Sequence, residues 1–581
     1  MNTLRVTLPL LFAGLVAGAG VLASDGPAAR SPQARSLPET TADCMPGGGA
    51  LYRRLAGRAT SSVPAPPPMP VASPSPAPLL SPGVAPQAMA EAKLAAAPAG
   101  RFAPLPRDMP ERENYAHRDA NPVHLAATDP VSTFGLDVDT GSYTNVRRML
   151  DEGRLPPADA VRTEEFINYF DYGYAPPTTK ARPFSVTTEL APAPWNADRR
   201  LLLVGVQGYE VPAAEIPAAN LVFLVDVSGS MDAPDKLPLL KASLRQIVPK
   251  LRARDRISLV TYAGATCVAL PSTPGDQHAR IVAAIDALGA GGSTNGAAGI
   301  DLAYAQAAKG FIKGGVNRVI LATDGDFNVG TVGVKALSDR IAEKRKSGIA
   351  LTTLGFGEGN YNDDMAVELA DAGNGSHHYI DSLAEGRRVL VDEMSATLLT
   401  IAKDVKVQVE FNPAVVAEYR LVGYEKRVLA REDFNNDAVD AGDIGAGANV
   451  TALYEITLKG AKGARIAPLR YGAATESRGS GELAFLRLRY KAPGDGKSQL
   501  IEQPIPADVA PGASERLRFA AAVAAFAENL RGGKYADGFG YDKVATLARG
   551  ALGADEGGYR AGMARLADIA DAMQTPKAAM P

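Results

Sequence analysis

Between residues 221 and 395, four apolar runs of strand length, LVFLVDVS, RISLVTYA, NRVILATDG and GIALTTLGFG, alternate with amphipathic stretches. An apolar run without polar alternation fits a strand buried on both faces, which a parallel sheet requires because helices cover it on each side. In DKLPLLKASLRQIVPKLR, Leu237, Leu240, Leu244, Ile247, Val248 and Leu251 recur at helical spacing and make one apolar face. The pattern predicts an α/β fold with a mostly parallel, doubly wound sheet. Such sheets place ligands at the carboxyl ends of their strands. The first run ends there in Asp226, Ser228 and Ser230, a cluster of small oxygen-bearing side chains.

Two further loops lead to the same edge. In GAGGSTNGAAGI, Thr294 stands just before an expected helix, and in LATDGDFN, Asp324 closes another buried strand. Hydroxyls and carboxylates are hard oxygen ligands, suited to a small divalent ion such as Mg²⁺, which takes about six of them and keeps waters where protein ligands are missing. Asp326 either stands behind these ligands or is a solvated loop carboxylate.

DVSGS, the threonine of GGSTN and the aspartate of TDG together resemble the metal-ion-dependent adhesion site of von Willebrand factor type A domains, in the family's order. The resemblance implies a Rossmann-like sheet. It also implies that Ser228, Ser230 and Thr294 contact Mg²⁺ (or Mn²⁺ or Ca²⁺), with Asp226 and Asp324 acting directly or through water. A partner protein's acidic residue would complete the shell. SRGSGELAFLRLRYKAPG with the C-terminal helices, and STFGLDVDTGSYTNVRRML before the sheet, resemble the regions that flank this domain in a group of bacterial envelope proteins.

Composition and resemblance divide the chain into a signal peptide (1–23), a disordered Pro/Ala-rich linker (24–110) and an N-terminal associated region (111–214). The type A domain (215–395), a β-rich domain (400–500) and a C-terminal helical region (505–575) follow. Order is expected from near Pro130. Strand patterning suggests that residues 184–210 and 400–490 pair into one β domain, and Ser514 reads as the cap of a helix that stops at Gly532-Gly533.

The leader MNTLRVTLPLLFAGLVAGAGVLASDG has one positive charge, a short apolar run and small residues at 21–23, which reads as an export signal cleaved after Ala23. The location implied is the periplasm or cell envelope. An uncleaved leader holding the protein at the membrane is the alternative, although the run falls short of the ~20 residues a spanning helix needs. Residues 64–87, rich in Pro, Ala and Ser, read as a spacer.

A net charge of −3 argues against nucleic acid as a partner. Two cysteines, Cys44 and Cys267, make no disulfide scaffold, and Cys267 in TCVAL is expected as a buried thiol. For an enzyme the chain offers little. Its five histidines form no HExxH, GAGGSTNG lacks the lysine of a phosphate loop, and no base stands out beside the metal ligands. His377 and His378 read as surface or sheet-edge residues. DFNNDAVDAGD, from Asp433, lacks the glycine and closing glutamate of a calcium loop and reads as a polar loop of the β domain. The expected function is therefore metal-dependent protein binding without catalysis. The alternatives are a structural scaffold in which the ion only ties loops together, and a metal-dependent hydrolase.

Overall fold

The computed structural model describes residues 113–292, 296–325, 333–439, 441–467, 481–494 and 496–574. The leader and the Pro-rich spacer lie outside these residues. The described fold opens with β1 (His124–Leu125), β2 (Val131–Gly135), α1 (Gly141–Asp151), α2 (Thr163–Asn168), β3 (Phe184–Ala193) and β4 (Asn196–Gly208). The central part is β5 (Ala219–Asp226), α3 (Leu237–Ile247), β6 (Arg256–Tyr262), β7 (Thr266–Pro274), α4 (His278–Asp286), α5 (Gly296–Lys309), β8 (Val316–Thr323), α6 (Val334–Lys344), β9 (Ala350–Phe356), α7 (Asp363–Ala372) and β10 (His377–Ile380). After α8 (Leu383–Arg387) and α9 (Met394–Leu398) come β11 (Thr400–Phe411), β12 (Val416–Val422), β13 (Ile444–Gly445), β14 (Asn449–Leu458), β15 (Glu482–Lys491) and β16 (Ser498–Pro506). The last helices are α10 (Glu515–Leu530), α11 (Tyr541–Arg549) and α12 (Tyr559–Gln574).

The central sheet has six strands in the order β10-β9-β8-β5-β6-β7, parallel throughout except for β7, which runs antiparallel to β6. The β5 side chains alternate between two cores. Leu221, Phe223 and Val225 pack with the apolar face of α3, whereas Val222 and Leu224 pack with α5, α6 and α7. Both faces of β5 are covered, which is why its sequence shows no alternation. Strand β7 contains the TCVAL segment. Cys267 within it is half-buried and disulfide-bonded rather than a buried thiol.

The outer strands form two further sheets, β1-β12-β14-β4-β3 and β13-β11-β15-β16 with β2 beside β11. Strand β4 pairs with β14 in antiparallel register, Leu203 opposite Leu453, so chain from before and after the central sheet shares one layer. One face of β4, Leu202, Val204 and Val206, lies in the core shared by the two sheets. The opposite face, Leu201 and Leu203, packs with helices from both ends of the described chain: α1 and α2, and α10 to α12. Gly205 belongs to that second face, where an added Cβ would stand 2.2 Å from the Tyr174 ring. Ser514 caps α10, its hydroxyl accepting from Leu517 N at 3.2 Å. Among the described residues no helix is long and apolar enough to cross a membrane.

Contacts begin earlier than expected, at Glu113 rather than near Pro130: Glu113 accepts from Gly359 N at 3.0 Å, and Asn114 N donates to Tyr361 O at 3.1 Å. The edge strand β10 is covered by the segment that opens α1. Asp139 accepts from His377 N at 2.7 Å, and the Thr144 hydroxyl donates to Tyr379 O at 2.7 Å. His377 and His378 do lie on an edge strand, but burial replaces the expected surface position. His377 bonds Thr353 and Tyr361, and His378 bonds Thr140 and Ser376.

Two measurements test this packing. Phe166, fully buried, meets Tyr143 edge-on at 5.3 Å and lies 6.1 Å from Phe526 of α10. Phe166→Ala should cost about 3–5 kcal/mol. Trp195, the single tryptophan, packs against the same core and reports its unfolding in urea by fluorescence. An unchanged midpoint would contradict a core shared by both ends of the chain. Burial, and then the Arg388 charge, lower the His378 pKa from 6.5 to about 3. Between these values the unfolded chain takes up a proton that the folded chain refuses, so stability falls as pH drops from about 6.5 toward 3, by about 1.4 kcal/mol per unit. His378→Gln should flatten the pH dependence of the urea midpoint in that window; coincident slopes would rule out a buried neutral imidazole.

Candidate metal centre

Strand β5 delivers Asp226 to the carboxyl edge of the sheet, where it is fully buried beside Tyr262, its register partner at the end of β6. Asp226 Oδ1 accepts from Ser228 N at 2.8 Å. This bond turns the chain back on itself and brings the Ser228 and Ser230 hydroxyls to 3.1 Å. Ser228 is buried, whereas Ser230 is exposed on the short turn Gly229–Asp232. Asp226 Oδ2 is buried and has no hydrogen bond of regular geometry, with the Tyr262 hydroxyl beside it. Burial, with the charge of Asp324 as a lesser cause, pushes the Asp226 carboxyl up to about 6 against the opposing Ser228 hydrogen bonds.

Asp324 follows β8 directly and is also fully buried. In the pairing of β5 with β8, Val225 stands opposite Ala322, so the two aspartates leave adjacent strands almost level. Gly325 turns the chain away at φ +91°, with its α-carbon against Tyr361 and Asn362; a Cβ there would meet Asn362 N at 2.2 Å. Thr294 and Asp326 lie outside the described residues. The chain on both sides of Thr294 is fixed at this edge: Gly229 N donates to Gly292 O at 3.1 Å, Gly291 N donates to Val227 O at 2.7 Å, and α5 begins at Gly296.

The donor set is of hydroxyl and carboxylate oxygens, and it includes one buried carboxylate oxygen, Asp226 Oδ2, without a hydrogen bond of regular geometry. A buried carboxylate in that state is costly unless a cation or donor completes it, so these residues fit a hard divalent ion. Among the described residues no group of three or more His, Cys, Asp or Glu is placed to hold a metal. The candidate set has only two carboxylates among those residues, Asp226 and Asp324, and its other described members are the hydroxyls of Ser228 and Ser230.

Sequence reasoning missed Lys236 and Asn360. Lys236 opens α3 and is buried, its Nζ donating to Asp324 Oδ2 at 2.9 Å and to Asn360 Oδ1 at 3.0 Å. A signal was present, because a lysine at a helix N-terminus runs against the helix dipole. Asp437, in the loop considered for calcium, instead pairs with Arg489 at 2.9 Å and accepts from the Ser498 hydroxyl at 2.6 Å.

Comparison with known proteins bears on every region of the described fold. The von Willebrand factor type A domain family matches residues 220–387, the von Willebrand factor family residues 109–203, and "Uncharacterized protein YfbK, C-terminal" residues 396–573. The chain is 51% identical over 472 residues to the Escherichia coli (strain K12) protein "Uncharacterized protein YfbK", covering 80% of this chain and 82% of that protein. It is 26% identical over 291 residues to "Uncharacterized protein sll0103" of Synechocystis, covering 49% of this chain and 65% of that protein. Among solved structures, the von Willebrand factor type A protein of Catenulispora acidiphila is similar at a TM-score of 0.38 and 17% identity, over 66% of this chain and 89% of that one.

Gly325→Ala tests the geometry of the edge. A side chain at positive φ against the 361–362 backbone should lower stability by about 1–3 kcal/mol and displace Asp324. Thermal unfolding of the variant within a degree of the wild type would show that this turn is not so confined.

Proposed function

Because this chain belongs to the family of the Escherichia coli protein YfbK, with a von Willebrand factor type A domain at its centre, we propose that it is a protein-binding module whose adhesion site works through a divalent ion. Asp226, Ser228, Ser230, Thr294 and Asp324 would hold Mg²⁺, or Mn²⁺ or Ca²⁺ in its place. An acidic residue of a partner protein would complete the shell. The observation that carries this reading is Asp226 Oδ2, buried without a regular hydrogen bond beside the paired serine hydroxyls. A hydroxyl-rich shell leaves a divalent ion under-neutralised, so a carboxylate from outside gains by joining it.

The role is binding rather than catalysis. His377 and His378, the buried histidines, are bonded to Thr353, Tyr361, Thr140 and Ser376, which leaves neither free to act as a base at the metal edge. The leader supports export to the periplasm or envelope. The alternative is a scaffold in which the ion only reinforces loops that are also tied directly, Gly229 to Gly292 and Lys236 to Asp324. On that reading, metal removal lowers stability and changes no interaction.

Asp226→Ala separates these outcomes. In chelator the variant's unfolding temperature serves as its own baseline, since it loses both a buried carboxylate and the acceptor of Ser228 N. With Mg²⁺ at about 100 times its dissociation constant, the wild type should gain about 2.7 kcal/mol and the variant nothing. Metal-dependent capture of a protein partner should be lost with it. An equal Mg²⁺ gain in both proteins would refute the site; a partner still captured in chelator would leave only the scaffold.

A further inference from the structure

Lys236 is a charged residue in the middle of the candidate centre that the ligand set does not use. Its side chain is 8% exposed. Its stem lies so close to the backbone that a Cβ on Gly357 would stand 2.3 Å from the Lys236 methylenes, and Gly357 itself sits at φ +71°. The ammonium is thereby held against Asp324 Oδ2 at 2.9 Å, with Asn360 Oδ1 as its second acceptor at 3.0 Å. A lysine so placed cannot swing into solvent without vacating a packed channel.

We propose that Lys236 is the residue that makes this site selective for an acidic partner, by fixing the charge of the metal-loaded edge. The proposal rests on the metal-binding reading above. Asp226 and Asp324 contribute two negative charges and Lys236 one positive, which leaves one net negative charge before an ion binds. A divalent ion turns the edge net positive by one, and one carboxylate from a partner returns it to neutral. With a neutral residue at 236, the ion alone would neutralise the two aspartates, and an incoming carboxylate would bring surplus negative charge. Asp232 is exposed and Asp235 half-buried, so solvent screens both more than the buried trio. Lys236 thus weakens the ion's hold in isolation and strengthens the demand for an anionic sixth ligand. It couples occupancy by metal to occupancy by partner.

The test titrates Mn²⁺ into the mature full chain, reading the free ion by electron paramagnetic resonance. Wild type, Lys236→Met, Lys236→Gln and Asp226→Ala are compared, with and without excess acetate as the carboxylate. Both neutral variants should bind Mn²⁺ at least about tenfold more tightly, tenfold being the order for removing a charge a few ångströms from a divalent ion in water and thus the lower limit at a buried site. Acetate should tighten Mn²⁺ binding in the wild type and do so less in the neutral variants. Lys236→Gln keeps a donor for Asp324, so it reports even if Lys236→Met fails to fold. Unchanged Mn²⁺ affinity and an undiminished acetate effect in the neutral variants would overturn the charge-setting role, while wild-type binding lost in Asp226→Ala would leave the metal site standing. Absence of Mn²⁺ binding in the wild type, or its persistence in Asp226→Ala, would overturn both.

Discussion

Arg427 is the interaction on which the arrangement of the whole molecule depends. It follows β12 in the outer β layers, yet its guanidinium reaches Asp137 at 2.7 Å, before α1, and Asp371 at 2.8 Å, on α7 of the central domain. Asp139, two residues from Asp137, binds the backbone of β10 at His377. Three parts of the chain therefore meet in one ionic knot, Asp137 and Asp139 buried and Arg427 and Asp371 half-buried, beside a polar cavity of about 130 Å³. Removing one partner of such a knot is costly because it strands the remaining charge in a low dielectric. Burial and the neighbouring Asp137 push the Asp139 carboxyl well above the usual range, and it keeps its place because its other oxygen is committed to the strand. The knot also disposes of a hazard: an uncovered β10 would present an unpaired strand edge, and residues 139–144 lie along it instead.

The carboxyl end of the central sheet has its own ties. The described parts of the loops at this edge are bonded to the 357–362 segment through Lys236 and Asn360 and through the close approach of Gly325 to Asn362. A second set of ion pairs, Arg147 with Asp381 and Glu385, and Arg162 with Asp363, joins the N-terminal helices to the elements that follow β9. Arg388 stacks on Tyr169 at 4.0 Å within the same contact. Loops positioned by packed strands hold ligands more faithfully than free loops do.

The parallel sheet was legible because covering both faces of β5 forces an unbroken apolar run, and the helix beginning at Leu237 was legible because its buried face repeats at helical spacing. The Ser514 cap was visible as a local signal, and the pairing of 184–210 with 400–490, read from strand patterning and order, holds for β12 and β14, whereas β11 and β15 lie in the second sheet. What was not legible depends on distant chain. His377 and His378 look like surface polar residues in HHYIDS, and only the arrival of Asp139, Thr140 and Gly141 buries them. The engagement of Glu113 looks like nothing in a polar stretch, because its partner is a backbone amide 246 residues away. Asp226, Ser228, Ser230 and Asp324 were named from their spacing, and the fold brings them to one edge. Lys236 was passed over as an ordinary member of an amphipathic helix, since its meaning lies in a carboxylate 88 positions later.

The engagement of Glu113 also fixes where the preceding chain attaches. Glu113 accepts from Gly359 N, Asn114 bonds Tyr361, and Tyr361-Asn362 is the backbone that confines Gly325 behind Asp324. Arg148 of α1 holds Glu113 from the other side at 2.9 Å, and Tyr115 continues the contact through Asn145 at 2.7 Å. The described fold therefore begins beside the segment that backs the metal edge, at the carboxyl ends of the central strands. Glu113 and Asn114 thus brace, from outside the central sheet, the same 359–362 backbone that confines Gly325 after Asp324.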